Sequence, residues 1–161
     1  MKTRFVEVIG EINEAFQRSF SELFGGGRAE VVLTDMNDVL HCGIDINVAP
    51  PGKIIKSLSL LSGGEQAFIS IALVFALLHV NPSPFCIFDE IEAALDEVNV
   101  AMFANYIKKY SDHTQFITIT HRRGTMEVGD TLYGVTMAER GISRVLAISV
   151  NEVESKLGVK L

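Results

Sequence analysis

The sequence has no tryptophan and only two cysteines, Cys42 and Cys86. Two isolated cysteines exclude a disulfide framework and a Cys-x-x-Cys metal site. Basic residues are also scarce: the sequence has 14 lysines and arginines but 20 acidic residues, which gives a net charge of −6. A chain of this sign is not expected to bind nucleic acid over its whole surface.

Long hydrophobic runs are lacking as well. The longest nearly apolar stretch, residues 67–78, includes Ser70 and is shorter than the roughly 20 residues of a membrane-spanning helix. No signal peptide is recognisable, so we expect no membrane partner and a cytoplasmic location. Hydrophobic residues nevertheless make up 48% of the 161 residues. Either the core is tightly packed, or some apolar surface belongs against a partner.

The first half of the sequence predicts a helix followed by paired strands. Apolar residues recur at steps of three or four over residues 5–23, and the glycines at 25–27 end the helix. This helix is either an ordinary amphipathic helix or the root of a coiled coil. Residues 29–34 and 44–48 predict two strands joined by a turn, and residues 50–53 begin a loop.

The second half alternates strands and helices, which favours a parallel α/β sheet. Helices are predicted at 64–80 and 97–110. Residues 85–88 and 115–120 are short apolar runs typical of strands buried on both faces. A short helix or turn follows at 123–129, and residues 131–138 and 142–150 predict a terminal hairpin. The fold class is therefore mixed α/β, with a mostly parallel sheet flanked by helices and an antiparallel hairpin.

The motif LSGGE at residues 61–65 leads directly into the long predicted helix. Ser62 and Glu65 have the spacing of a capping box, which is one explanation of the motif. The other is phosphate binding, because a helix N-terminus presents free N–H groups and Gly63 and Gly64 allow close approach to the backbone. Both explanations use the same geometry, and the motif alone does not separate them.

Two further motifs place polar residues at the ends of predicted strands. FCIFDE, residues 85–90, delivers Asp89 and Glu90 to the carboxyl end of a strand, where α/β proteins bind ligands. In nucleotide hydrolases one such acid holds Mg²⁺ and the other orients the attacking water. FITITH, residues 116–121, similarly delivers His121, whose imidazole can donate to a phosphate oxygen. Solvated polar residues at strand ends would explain either motif taken alone.

The motifs together, in this order, resemble the second half of an ABC-type ATPase: signature loop, Walker B strand with its glutamate, D-loop and switch histidine. Asp96 stands at the D-loop aspartate position. The resemblance is closest to bacterial-type SMC (structural maintenance of chromosomes) proteins, and it spans nearly the whole chain. It is carried by residues 23–27, 50–53, 58–65, 89–100, 119–126 and 132–137.

A phosphate loop of the form GxxxxGK[ST] is missing from the sequence. In SMC proteins the two halves of the head lie at opposite ends of the polypeptide, separated by a long coiled coil. The resemblance therefore implies a C-terminal half-head, with residues 1–24 as the root of the returning coiled coil and 25–161 as the C-terminal lobe. Such a chain would not hydrolyse ATP by itself.

The resemblance also implies a role for each motif residue. Asp89 would assist Mg²⁺, directly or through water, Glu90 would activate water, and His121 would sense the γ-phosphate of ATP. The signature and D-loop residues would act on ATP held by a second head: Ser62, Gly63, Gly64, Glu65 and Asp96. Implied partners are the Walker A lobe, a second SMC head, a kleisin subunit and, in the full complex, DNA of the nucleoid.

Two other functions remain open from the sequence. The chain could be half of a transporter or DNA-repair ABC ATPase, or a non-enzymatic lobe that only binds partners. A transporter would need a coupling surface for membrane helices, whereas a coiled-coil-like helix precedes the sheet here. ABC transporters also usually follow the Walker B acids with other residues than the Ile91-Glu92-Ala93 found here.

Overall fold

The computed structural model describes residues 2–52, 54 and 56–149. Lys53 of the predicted loop, Val150 of the predicted strand 142–150 and residues 151–161 of the predicted lobe 25–161 therefore lie outside the described residues. The helices and strands follow one another in this order: α1 (Lys2–Phe24), β1 (Arg28–Leu33), β2 (Ile44–Ala49), β3 (Lys56–Ser57), a 3₁₀ turn (Leu58–Leu60), α2 (Gly63–Val80), β4 (Phe85–Asp89), α3 (Glu97–Tyr110), β5 (Gln115–Ile119), α4 (Arg123–Glu127), β6 (Thr131–Glu139) and β7 (Ile142–Ser149).

The core lies between α1, α2, α3 and one face of the strands. Its largest fully buried side chains are aromatic, and they come from all three helices: Phe16, Phe20, Phe68, Phe75 and Phe103. Phe20 stacks on Phe24 at 4.2 Å between ring centroids, and Phe24 meets Phe68 of α2 at 4.7 Å. The C-terminal half of α1 is thus anchored in the core, and its buried residues all fall within 15–23.

Helix α2 is apolar on nearly all sides because it is the central helix of this core. By length and composition alone it could also cross a membrane, with a mean hydropathy of 1.6 over Gly63–Val80. Core helices meet the same criterion. Six of its side chains, among them Phe68, Ile69 and Phe75, are buried within the protein, which favours the core explanation.

Two amide side chains of α1 hydrogen-bond to the edge strand β1. Asn13 donates to the Val31 carbonyl and accepts from the Val31 N–H, at 2.7 and 2.6 Å. One turn later, Gln17 donates to the Gly27 carbonyl and accepts from the Ala29 N–H, at 3.1 and 2.9 Å. An edge strand otherwise leaves a row of unpaired backbone groups. The two amides pair with backbone groups that a neighbouring strand would otherwise bind, and they fix the position of α1 along the sheet.

The mixed α/β class is confirmed, but the pairing within this chain is mainly antiparallel. Strands β1, β2 and β3 form one antiparallel sheet and β6 pairs with β7 in another. Of the described strands, only β4 and β5 pair in parallel, Phe85 opposite Gln115 and Asp89 opposite Ile119. The expectation of a mostly parallel sheet is wrong for this chain, because the alternation of strands and helices continues through only one parallel pair.

The expectation that β4 and β5 are buried on both faces is also wrong. One face, with Phe88 and Phe116, packs onto the core. On the other face, large apolar side chains are about half exposed: Phe85 53%, Ile87 57%, Ile117 47% and Ile119 53%. We call these four residues the open face. It is apolar because parallel strands are normally covered on both sides, and this chain supplies the cover for one side.

Candidate functional site

The acidic motif and the histidine motif meet at one edge of the parallel pair. Because β4 and β5 run in the same direction, Asp89 and Ile119 are register partners and their carboxyl ends lie side by side. The N–H of Glu90 donates to the Ile119 carbonyl at 2.9 Å. The Glu90 Oε1 and His121 Nδ1 atoms are 3.3 Å apart, and both side chains are more than half exposed. A water molecule and a phosphate can therefore reach both groups.

Glu90 has an unusual backbone conformation. Its φ is +49°, and it is the one non-glycine residue with positive φ among the described residues. L-residues with a side chain pay about 1–2 kcal/mol for this left-handed region. The turn aims the carboxylate back toward His121, so the strain is found at the residue that the sequence analysis singled out as the candidate base.

Replacing Glu90 with glycine is expected to raise the free energy of unfolding of the chain by about 1 kcal/mol relative to Glu90→Ala, because glycine adopts φ = +49° without a steric penalty. Both changes remove the same carboxylate, so the comparison isolates the backbone. Urea unfolding of the two variants measures the difference. A glycine variant no more stable than the alanine variant would show that the turn carries no strain.

The signature motif forms a complete capping box at the start of α2. The Ser62 Oγ accepts from the Glu65 N–H, and the Glu65 Oε2 accepts from the Ser62 N–H at 3.1 Å. Ser62 and Gly63 are exposed. The capping explanation of the motif is therefore confirmed as geometry. It does not exclude phosphate binding, because the helix N-terminus faces solvent.

The signature motif and the D-loop are in close contact. A Cβ atom on Gly64 would lie 3.1 Å from the Ala94 carbonyl oxygen, so only glycine fits without a shift. Asp96 caps α3, because its Oδ1 accepts from the Asn99 N–H at 2.8 Å. The hydrogen bonds of the described residues thus bring Glu90 and His121 together, while Ser62 and Glu65 form a separate group next to the D-loop.

Two side chains beside the site, those of Glu92 and Arg122, were not predicted from the sequence. Glu92 is 1% exposed, and its Oε1 accepts from the hydroxyls of Thr120 and Thr125 at 2.6 and 2.9 Å. Arg122 donates from Nη2 to the Leu95 carbonyl at 2.9 Å. Both tie the D-loop segment to the residues around His121. The only signal in the sequence was the departure from transporter motifs at Ile91-Glu92-Ala93.

A metal ion at this edge would rely on few protein ligands. Among the described residues, no group of three or more His, Cys, Asp and Glu side chains could hold a metal ion. Asp89 is exposed at the end of β4, which suits Mg²⁺, since this ion is usually held by one or two carboxylates, substrate phosphates and water. The donor set therefore fits Mg²⁺ bound together with a nucleotide.

Comparison with known proteins shows similarity to SMC proteins. Residues 13–144 match the family model described as "RecF/RecN/SMC N terminal domain". The chromosome partition protein Smc of Bacillus subtilis is 56% identical over 96% of the chain, and that of Desulfitobacterium hafniense is 54% identical over 93%. The chain spans only 13% and 12% of the length of these relatives.

Solved structures of SMC heads share the fold. A chain solved in a study of the ATP-driven dimerization and DNA-stimulated activation of SMC ATPases has a TM-score of 0.85 and 36% identity, with 98% of this chain and 96% of that chain covered. The Smc head of Pyrococcus furiosus, bound to the C-terminal domain of ScpA, also has a TM-score of 0.85, with 37% identity and 98% and 39% coverage. The matched residues, the identities and the shared fold establish that this chain belongs to the SMC family and has the fold of part of an SMC head domain.

Proposed function

We propose that this chain is the C-terminal half of an SMC ATPase head and hydrolyses ATP only together with a Walker A lobe. The observation that carries the proposal is the pairing of Glu90 with His121 at the end of a parallel strand pair, in a sequence without GxxxxGK[ST]. The family model is described as an N-terminal domain, but the motifs present are those of the other half. On this assignment residues 1–24 are the coiled-coil root and 25–161 the lobe.

Each residue of the edge would have one task in the reaction. Asp89 would hold Mg²⁺, directly or through water, and the bound ion would neutralise charge on the ATP phosphates. Glu90 would orient the attacking water and draw off its proton. His121 would donate a hydrogen bond to the γ-phosphate. The 3.3 Å between Glu90 Oε1 and His121 Nδ1 allows the imidazole to orient the carboxylate as well.

The signature group would act on ATP bound to a second head. Ser62 and Gly63 are exposed at the N-terminus of α2, which carries a positive partial charge, and Gly64 follows them in the first turn. Glu65 keeps this turn in shape through the capping box, and Asp96 fixes the D-loop against α3. ATP would thereby join two heads, and hydrolysis would separate them, in a cycle that serves chromosome segregation and condensation in a cytoplasmic, nucleoid-associated complex.

The open face supports the Walker A lobe as the missing partner. A parallel sheet is covered on both faces, and Phe85, Ile87, Ile117 and Ile119 lie beside the edge that carries Glu90. The matched Pyrococcus furiosus head is longer than this chain, which covers 39% of it. Because the open face lies on the strands that end at Asp89 and Ile119, a lobe bound there would lie beside the edge that carries Asp89 and Glu90.

We expect the isolated chain to hydrolyse no ATP above background, and addition of a Walker A lobe to restore turnover. The reason is that the phosphate loop supplies most of the phosphate binding. Steady-state phosphate release from the chain, the lobe and the mixture measures this. Turnover by the isolated chain that is lost in Glu90→Gln would refute the assignment.

A charge on the open face provides the control for this experiment. Ile87→Glu should prevent lobe binding and turnover, whereas Val98→Glu on α3, where the side chain is 65% exposed, should leave lobe binding intact. Both variants add one carboxylate at an exposed apolar position. Equal lobe binding by the two variants would mean that the partner sits elsewhere.

A kleisin-type subunit is the second proposed partner. One matched structure is an Smc head bound to the C-winged helix domain of ScpA. In this chain the hairpin β6–β7 exposes apolar side chains along β7, including Val145 at 63%, and a strand edge can accept an added strand.

We expect Val145→Asp to weaken binding of such a domain at least about tenfold, equivalent to 1.4 kcal/mol, and Met36→Asp in the β1–β2 loop to leave it unchanged. Calorimetric titration distinguishes the two; equal affinities would remove the hairpin from the interface.

A further inference from the structure

Glu92 is a buried acid that none of the motif roles uses. Its side chain is 1% exposed, and an acidic side chain is rarely buried without a specific set of partners. The two partners of its Oε1 are hydroxyl groups, not cations, since Thr120 and Thr125 both donate to the same oxygen. An apolar residue would fill this space without the desolvation cost, so the carboxylate calls for a specific explanation.

The two threonines stand on either side of His121. Thr120 immediately precedes the histidine, and its Oγ1 also accepts from the Arg122 N–H at 2.9 Å. Thr125 is buried in α4, just after it. A hydrogen-bonded chain therefore runs from the Arg122 N–H through Thr120 Oγ1 to Glu92 Oε1. It fixes the backbone before and after His121, and such chains strengthen each of their members.

The backbone of Glu92 is tied to the other side of the site. Two residues before it, Glu90 occupies the left-handed turn, and its N–H is held by Ile119. Three residues after it, the Leu95 N–H donates to the Glu92 carbonyl at 2.9 Å, and the Leu95 carbonyl accepts from Arg122. Glu92 thus stands between the turn of Glu90, the D-loop and the segment of His121.

We propose that Glu92 is a positioning residue that holds His121 in register with Glu90 and the D-loop. The role rests on the proposed function, since it presupposes that Glu90 and His121 act together on ATP. Because Glu92 is 1% exposed and its Oε1 accepts from Thr120 and Thr125, it would act through these two residues and not on the nucleotide itself. Its effect on turnover arises because the Glu90–His121 distance depends on where Thr120 and Thr125 are anchored.

The test uses a head assembled from this chain and a Walker A lobe. Glu92→Met removes the acceptor at similar volume, and Glu92→Gln keeps an acceptor oxygen. A misplacement of catalytic groups by about 1 Å can cost about 100-fold in rate, so we expect Glu92→Met to lower kcat 10- to 100-fold with an ATP affinity close to that of the unchanged head. Glu92→Gln should retain most of the rate. Thr120→Val, which removes the hydroxyl, should likewise lower kcat, and Thr120→Ser, which keeps it, should retain most of the rate.

A matched control separates positioning from general loss of stability. Tyr106→Phe breaks another buried hydrogen bond, from the Tyr106 hydroxyl to Ser19 at 3.2 Å, within the core. It should lower Tm without lowering kcat. In NMR spectra, Glu92→Met should shift the imidazole signals of His121 and leave those of His79 and His113 in place.

Three results would overturn the inference. One is a kcat of Glu92→Met equal to that of Glu92→Gln, and another is an unmoved His121 signal. The third is a kcat loss in Tyr106→Phe as large as in Glu92→Met at equal Tm. Turnover that does not depend on Glu90 is a different outcome, because it would overturn the proposed function itself and this role with it.

Discussion

Replacing Glu90 with glutamine is expected to lower the kcat of the assembled head by about 10²- to 10⁴-fold, the contribution typical of a positioned general base. The amide has nearly the same shape and leaves the left-handed turn and the contact with His121 sterically unchanged. It cannot accept the proton of the attacking water. ATP binding should therefore persist, and the ATP-bound head dimer should accumulate.

Two measurements check this expectation. Phosphate release reports kcat, and size-exclusion chromatography with ATP reports the dimer. Glu127→Gln is a suitable control, since Glu127 is an exposed carboxylate paired with Arg123 on α4 rather than with the site. A Glu90→Gln head that keeps more than a tenth of the turnover, or stays monomeric with ATP, would contradict the role given to Glu90.

Ser62→Arg should abolish ATP-driven dimerisation while each head still binds ATP. The arginine side chain would block the approach of a phosphate to Gly63 and Gly64 at the exposed start of α2. If Ser62 were only a helix cap, the same change would cost about 1 kcal/mol of stability and nothing in dimerisation. Equilibrium ATP binding and analytical ultracentrifugation, done on the same sample, distinguish these outcomes.

Ser62→Ala is the matched control for this experiment. It removes the capping oxygen that accepts from the Glu65 N–H without adding bulk. A similar loss of stability with dimerisation largely retained would assign the effect of arginine to the blocked approach. If Ser62→Arg heads dimerise normally with ATP, the motif serves only to cap α2.

Most of the elements could be predicted because their signals are local. The capping box, the glycines after α1 and the polar residues at strand ends each depend on a few neighbouring residues. The sequence predicted Glu90 and His121 at the ends of two strands, and the parallel pairing of β4 with β5 in the structure brings these ends to one edge. The roles of these residues in catalysis stay predictions until the variants are measured.

The features that could not be predicted depend on distant parts of the chain. The amides of Asn13 and Gln17 look like ordinary polar positions of an amphipathic helix, and only the tertiary fold places them against β1. The left-handed turn at Glu90 cannot be predicted from the residue types around it, since glutamate rarely adopts a positive φ. The strands β4 and β5 have the sequence of doubly covered strands, and the open face appears only when one cover is missing.

If Ser62 of one head acts on ATP held by another, two variant heads that are each inactive should complement one another when they are mixed. Each chain is first fused to its Walker A lobe, so that lobes cannot exchange. A head with Ser62→Arg is then mixed with a head whose phosphate-loop lysine is replaced. In a two-fold dimer one composite site carries both lesions and the other carries none. We expect ATPase activity, absent from either variant alone, to return in part in the mixture. No return of activity, together with normal ATP-driven dimerisation of the Ser62→Arg head, would contradict it.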